Sequence, residues 1–275
     1  MNLLLRLVVA CGLAAGAAAS AQQLVDVPSL DPGDGNALSL PGIWYAAGGA
    51  AAAPAVVLLH GCGGLFDGRG RLGERYVEMA QRLNALGIHA LVPDSLGPRG
   101  EKEICTQRAG SRRVTMVERR RDALGALQWL AAQPGVDANR LALLGWSNGG
   151  STVLNALADS ADMRAAWGGG PGFVAAVAFY PGCGSAAVPM RRYETRVPLM
   201  VLHGDADEEV SADVCARLLA GVTGGAGGST VGFKRYAGAA HDFDDPGHQS
   251  DPANAAARQD AVAEAEAFFR ARLAR

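Results

Sequence analysis

A serine, a histidine and a carboxylate that could together activate a hydroxyl stand at three distant points of the chain. Ser147 is the centre of Gly145-Trp146-Ser147-Asn148-Gly149, a GxSxG pattern preceded by the apolar run 141–146 and followed by a helical pattern. That context is a strand–turn–helix elbow, in which flanking glycines leave room where side chains would clash. A serine hydroxyl is a weak nucleophile: it needs an imidazole to take its proton, and the imidazole needs a carboxylate to fix its tautomer. In such elbows the order along the chain is Ser, then Asp or Glu, then His. Here the run 199–203 leads into Gly204-Asp205-Ala206-Asp207, and the run 230–236 leads into Gly238-Ala239-Ala240-His241-Asp242-Phe243. Asp205 directly follows a turn glycine and can spend its carboxylate on its own loop. Asp207 lies further out and can reach back towards His241, so it is the preferred acid.

A fourth element completes the chemistry. His60-Gly61-Cys62-Gly63-Gly64 follows the first buried strand, where the backbone N–H groups of Cys62 and of Asn148 would meet a developing oxyanion. Three glycines in five residues also suit a phosphate cradle, but GxxxxGK[ST] is absent and no lysine is near, which argues against phosphate binding.

The elements that must position these residues alternate. Strands are expected at 55–59, 88–92, 141–146, 174–180, 199–203 and 230–236, and helices at 73–86, 117–133, 151–159 and 213–219. In the second helix Val117, Leu124 and Ala131 recur every seven residues. Asp251-Pro252 is a capping residue followed by proline at the first helical position, opening a last helix with Ala261, Ala265, Phe268 and Phe269 towards the core. Strand–helix alternation implies an α/β fold with an open, mostly parallel central sheet and helices on both faces. No repeat or composition break divides the chain, so 22–275 is read as one domain.

With 49% hydrophobic and 19% charged residues the chain can bury a large core, and a net charge of −2 without a basic, aromatic-interleaved stripe excludes nucleic acid as the expected partner. Arg6, the apolar run 7–18 and the small-x-small Ala19-Ser20-Ala21 form a signal peptide over 1–21, too short to span a bilayer. Export to the periplasm or medium is therefore expected, with no stable membrane insertion. Cleavage would remove Cys11 and leave Cys62, Cys105, Cys183 and Cys215, an even set for two disulfides in an oxidising compartment. Of the three connectivities, pairing neighbours in chain order gives Cys62–Cys105 and Cys183–Cys215. No zinc-ligand spacing is present, and neither metal nor cofactor is expected.

Taken in order, HGCGG, VPDSLGPRG, GWSNGG, YPGC, HGDAD and GAAHDF resemble the dienelactone hydrolase family of α/β-hydrolases, in its exported, serine-bearing form, from about Ala55 to the last helix. The resemblance implies an α/β-hydrolase fold, Ser147 as nucleophile, Asp207 as acid, His241 as base, and Cys62 and Asn148 as oxyanion donors. Two departures matter. The family's cysteine nucleophile is Ser147 here, and the glutamate that gates it corresponds to Gly61. The family's substrate-gripping arginine, four residues after the histidine, is Asp245. An ester or lactone substrate other than dienelactone is therefore implied. The GWS-x-GG elbow is also similar to that of cutinase-like polyester hydrolases. Short-peptide cleavage, polyester cleavage and a catalytically silent binding scaffold stay open as alternatives.

The remaining polar residues have plainer readings. His60 is expected beneath the oxyanion loop, His203 at a strand end and His248 on the surface. The acidic stretch Asp242-Phe243-Asp244-Asp245 lacks calcium-loop spacing and reads as a solvated loop. Trp146 either packs beside the elbow or lines the substrate pocket. Arg112, Arg113, Arg119, Arg120 and Arg121 read as a solvated helix face. A sharper expectation is that the long segment 95–115 caps the site, with Arg99 or Arg112 meeting an anionic substrate group.

Overall fold

The apolar runs read from the sequence pair as the middle of an eight-stranded sheet. In the computed structural model, residues 22–33, 38–49, 51–159, 165, 170–190, 192–222 and 231–274 are described; the segment 1–21 expected to be a signal peptide, the glycine tract 224–228 and Thr230 lie outside them. The strands are β1 (Gln22–Pro28), β2 (Ser39–Tyr45), β3 (Ala53–Leu59), β4 (His89–Pro93), β5 (Val136–Trp146), β6 (Phe173–Phe179), β7 (Leu199–Gly204) and β8 (Val231–Tyr236). Their spatial order is β1-β2-β4-β3-β5-β6-β7-β8, antiparallel for β1–β2 and β2–β4 and parallel elsewhere. The expected parallel α/β sheet is thus present, extended by two N-terminal strands that the sequence did not announce.

Period-two alternation splits β3 between the sheet's faces. Val57 and Leu59 join the cluster under helices α2 (Met116–Ala131), α3 (Asn148–Leu157) and α4 (Ala212–Leu219), whereas Val56 and Leu58 join the one under α1 (Glu74–Ala85) and α5 (Pro252–Arg272). Each such fully buried Val or Leu contributes about 1.5–3 kcal/mol of transfer free energy. Helix α5 starts as expected: the Asp251 side chain accepts from the N–H groups of Ala253 and Asn254 at 2.7 and 3.2 Å. In helix α2, Leu124, Leu127 and Leu130 are buried as expected and Ala131 packs against the core, but Val117 is exposed and the buried face also takes in Arg119 and Ala123. No helix among the described residues is long and apolar enough to cross a membrane.

Both disulfides pair as expected, Cys62 with Cys105 and Cys183 with Cys215. The first ties the loop after β3 to the segment 95–115, which carries its own small core of Leu96, Ile104 and Val114 against Cys62.

Candidate active site

At the end of β5 the chain turns so sharply that Ser147 takes φ 51° and ψ −113°, a conformation that costs a non-glycine residue about 1–3 kcal/mol. Close packing enforces the turn. A Cβ on Gly145 would lie 2.3 Å from the Gly149 carbonyl oxygen, and one on Gly149 would lie 2.2 Å from that of Leu59. The Ser147 N–H donates to the Phe179 carbonyl at 2.9 Å, and the Ser147 carbonyl accepts from Ser151 N–H at 2.8 Å. Helix α3 then begins at Asn148, three residues earlier than the sequence pattern suggested.

The loops after β7 and β8 bring the two partners to this hydroxyl. His241 Nε2 is 3.0 Å from Ser147 Oγ, and His241 Nδ1 is 2.7 Å from Asp207 Oδ2. The neutral ring that fits carries its proton on Nδ1, donating to Asp207, and accepts the serine proton at Nε2. The Asp207 side chain is fully buried and is itself held: its Oδ1 accepts from the N–H groups of Glu209 and Val210, both at 2.9 Å. Asp205 instead pairs with Arg235. Burial favours the neutral His241 ring, but the Asp207 hydrogen bond and charge outweigh it and raise its pKa above 6.5. The exposed Glu209 carboxylate lies 3.6 Å from Nε2 and adds to that rise.

The loop after β3 runs past the nucleophile. A Cβ on Gly61 would lie 3.7 Å from Ser147 Cβ. The loop is fixed by the Ile104 N–H donating to the Cys62 carbonyl at 2.8 Å, by the Cys62–Cys105 bond, and by Gly64, where a Cβ would lie 2.4 Å from the Lys102 carbonyl oxygen. Among the described residues no acceptor within the chain takes the N–H of Cys62 or of Asn148. Beyond Gly63 a cavity of about 550 Å³ opens, lined by Leu65 and Phe66, by the carboxylates of Asp67, Asp94, Glu101 and Glu103, and by Lys102.

Other expected site residues lie elsewhere. Arg99 does not reach the triad: its guanidinium is spent on Asp31 at 2.8 Å and Asp122 at 2.9 Å. Arg112 donates through Nε to the Gln107 carbonyl at 3.1 Å, within the segment it was expected to project from. Trp146 belongs to the core, stacked with Phe179 and donating its indole N–H to Asp244 at 2.7 Å. His60 is fully buried under the oxyanion loop, its Nδ1–H donating to the Gly61 carbonyl at 2.8 Å and its Nε2 accepting from Ser95 N–H at 3.2 Å; burial and the nearby Arg119 pull its pKa down to about 3.

Two arginines were missed. The acidic stretch after His241 is no solvated loop, for Arg75 on α1 is inserted into it. Its Nη1 donates to Asp242 at 2.6 Å and to the Tyr180 hydroxyl at 2.5 Å, lies 3.6 Å from the buried Asp244, and its Nη2 donates to Asp245. A guanidinium fills the place a cation would take, and among the described residues no His/Cys/Asp/Glu group is arranged to hold a metal. The second is Arg119, fully buried under the elbow instead of on a solvated face; its Nη1 donates to Asn148 Oδ1 at 2.5 Å and its Nη2 to the His60 carbonyl at 2.7 Å. Helical phase could have found it, since Arg119 precedes buried Ala123 by four residues and Leu127 by eight.

The array can pass the Ser147 proton to His241 while Ser147 Oγ attacks a carbonyl. The dienelactone hydrolase family model matches residues 43–273. No curated protein matches the sequence. Solved structures with the same fold include a dienelactone hydrolase-like promiscuous phosphotriesterase from metagenomic libraries, with 22% identity, TM-score 0.64, and 92% of this chain and 99% of that one covered. Esterase 2 of Thermogutta terrifontis, phosphonylated by cyclosarin, has 20% identity, TM-score 0.61 and coverages of 87% and 91%. A puromycin-hydrolysing peptidase of Mycobacterium tuberculosis has 20% identity and TM-score 0.63 over 93% of this chain and 40% of its own.

Proposed function

The chain belongs to the dienelactone hydrolase family, and from that premise we propose that it is an exported serine hydrolase that cleaves a carboxylic ester or lactone through an acyl-enzyme. The observation that carries the reading is the continuous hydrogen-bonded path from Ser147 through His241 to Asp207. Ser147 Oγ bonds to the acyl carbon as its proton moves to His241 Nε2. The carbonyl oxygen takes the negative charge facing the Cys62 and Asn148 amides. The tetrahedral centre then collapses, the C–O bond to the alcohol breaks, and His241 returns the proton to the leaving oxygen. Water, deprotonated by the same nitrogen, releases the acid and restores Ser147.

Charge around the site narrows the substrate. Glu209 near His241 and the cavity beside the oxyanion loop, whose lining carries four carboxylates against Lys102, disfavour an anionic acyl group, and Asp245, at the position of the family's substrate-gripping arginine, supplies no positive charge to hold one. A neutral ester fits this surface. The two disulfides are compatible with an oxidising compartment and support export.

The test is a series of 4-nitrophenyl esters of rising neutral acyl length with wild type and Ser147→Ala. A pre-steady-state burst of nitrophenol matching the enzyme concentration, absent in the variant, is expected. A folded wild type that hydrolyses no member of the series, or equal rates in the variant, overturns the proposal.

A further inference from the structure

Helix α2 carries three consecutive arginines, and Arg119 alone of them is fully buried. It has no ion-pair partner among the described residues: the adjacent Asp122 is bound by Arg99 and by the Ser29 hydroxyl. Its Nε has no hydrogen-bond partner among the described residues. Burying a guanidinium without a carboxylate is costly, and a chain that needed only packing here would do better with an apolar side chain. Burial draws its pKa down to about 10, which leaves it charged at neutral pH. Its two donors go to Asn148 Oδ1 and to the carbonyl of His60, the residue that leads through Gly61 into Cys62. Those two contacts sit on the two backbone segments that carry the proposed oxyanion donors, the loop after β3 beside Ser147 and the first residue of helix α3.

We propose that Arg119 is the positioning residue of the oxyanion hole. Its guanidinium locks the Asn148 side chain to the His60 carbonyl, so that the Asn148 and Cys62 amides converge on one point, and its charge, which Asp122 and Asp94 offset only from beyond ion-pair distance, adds to the potential there. The negative charge of the tetrahedral intermediate is then met by a preorganised, positively biased pocket. This rests on the ester-hydrolase reading above. It assigns Arg119 an effect that appears as charge develops on the carbonyl oxygen, not when substrate binds.

The experiment compares wild type, Arg119→Met, Arg119→Lys, Asn148→Leu and the Arg119→Met/Asn148→Leu double variant. Each is measured for kcat and KM on a neutral nitrophenyl ester and for inhibition by an alkyl trifluoromethyl ketone. That ketone adds Ser147 Oγ to its carbonyl carbon, leaving an alkoxide in the hole and the proton on His241, so its Ki reports the hole directly. Losing one oxyanion donor typically costs about 10²–10³ in turnover, so a misaligned pair should cost roughly 10–100-fold in kcat with KM changed less than about threefold. The ketone Ki should rise by the same factor, Arg119→Lys should fall between wild type and Arg119→Met, and the double variant should be no worse than Arg119→Met, because both changes break one link. If Arg119→Met fails to fold, Asn148→Leu, which keeps the guanidinium and removes its acceptor, decides. A folded Arg119→Met, or in its absence a folded Asn148→Leu, with kcat within about threefold of wild type overturns the proposal, as does an effect confined to KM. Wild type that is active while its variants are unaffected removes this inference alone; wild type without any ester turnover removes the hydrolase reading as well.

Discussion

Replacing Arg75 by methionine removes the cation shared by Asp242, Asp244 and Asp245 and keeps much of the side-chain volume. Taking one partner from a buried ion pair typically costs about 3–5 kcal/mol, because the remaining charge stays buried and uncompensated. Asp244 is nearly sealed, but the Asp242 and Asp245 side chains are each 34% exposed, and water screens their share. The low end of that range, about 3 kcal/mol, is therefore expected, which lowers Tm by roughly 6–12 °C in a domain of this size. The pH dependence identifies the cause. Burial alone would raise Asp242 and Asp245, but Arg75 overrides it and holds both below the ordinary carboxylate range. Groups depressed in the folded state stabilise fully above their unfolded pKa, about 4, and lose that contribution as pH falls through the folded value. Urea unfolding followed by tryptophan fluorescence should show the full gap between wild type and Arg75→Met at pH 7 and a smaller gap near pH 3. A gap below about 0.5 kcal/mol at pH 7, or one that widens on acidification, refutes the clamp. Losing the guanidinium also leaves excess negative charge beside His241, so the acid limb of kcat/KM should move to higher pH.

Three further outcomes are expected. Asp207→Asn should lower kcat by about 10³–10⁴ without unfolding the chain, whereas Asp205→Asn, at the surface pair with Arg235, should stay within about twofold, as steady-state ester kinetics will show. Removing Cys62–Cys105 or Cys183–Cys215 by paired serine substitution releases loops of 43 and 32 residues and should cost up to about 4 kcal/mol each in urea unfolding, but only the first should also depress kcat, because only it anchors the oxyanion loop. Arg99→Ala should destabilise the fold through Asp31 and Asp122 and leave unchanged the ratio of kcat/KM between a carboxylate-bearing and a matched neutral nitrophenyl ester.

The sequence yielded those parts of the molecule whose causes are local. Runs such as 55–59 are apolar on both faces because parallel strands are covered on both sides, and the glycines around Ser147 are dictated by carbonyls 2.2–2.3 Å from where a Cβ would stand. The order of Ser147, Asp207 and His241 follows from which strand ends carry which loops. Strands β1 and β2 were not visible, since β1 is mostly exposed with Val27 alone fully buried and β2 carries Pro41 and Gly42, residues that normally argue against an inner strand. Gly42 is explained only by the fold: a Cβ there would press within 3.1–3.3 Å of Val25, Val27 and Leu91. Arg75 was hidden because its partners lie about 170 residues away in a stretch whose composition suggests solvent. Arg119 was hidden because it stands in a run of arginines that reads as solvated, although the apolar face through Leu127 and Leu130 was placed correctly. Arg99 misled because a charge near a long loop says nothing about which acids, here Asp31 and Asp122, will claim it.

The most direct test of the account is to incubate the folded protein with a fluorophosphonate and locate the adduct by peptide mass. Fluoride leaves as Ser147 Oγ bonds to phosphorus, and the reaction needs His241 to take the proton. Stoichiometric modification at Ser147 that is abolished by His241→Ala is the expected result. Intact Ser147 in a folded wild type, or equal labelling with and without His241, contradicts the account.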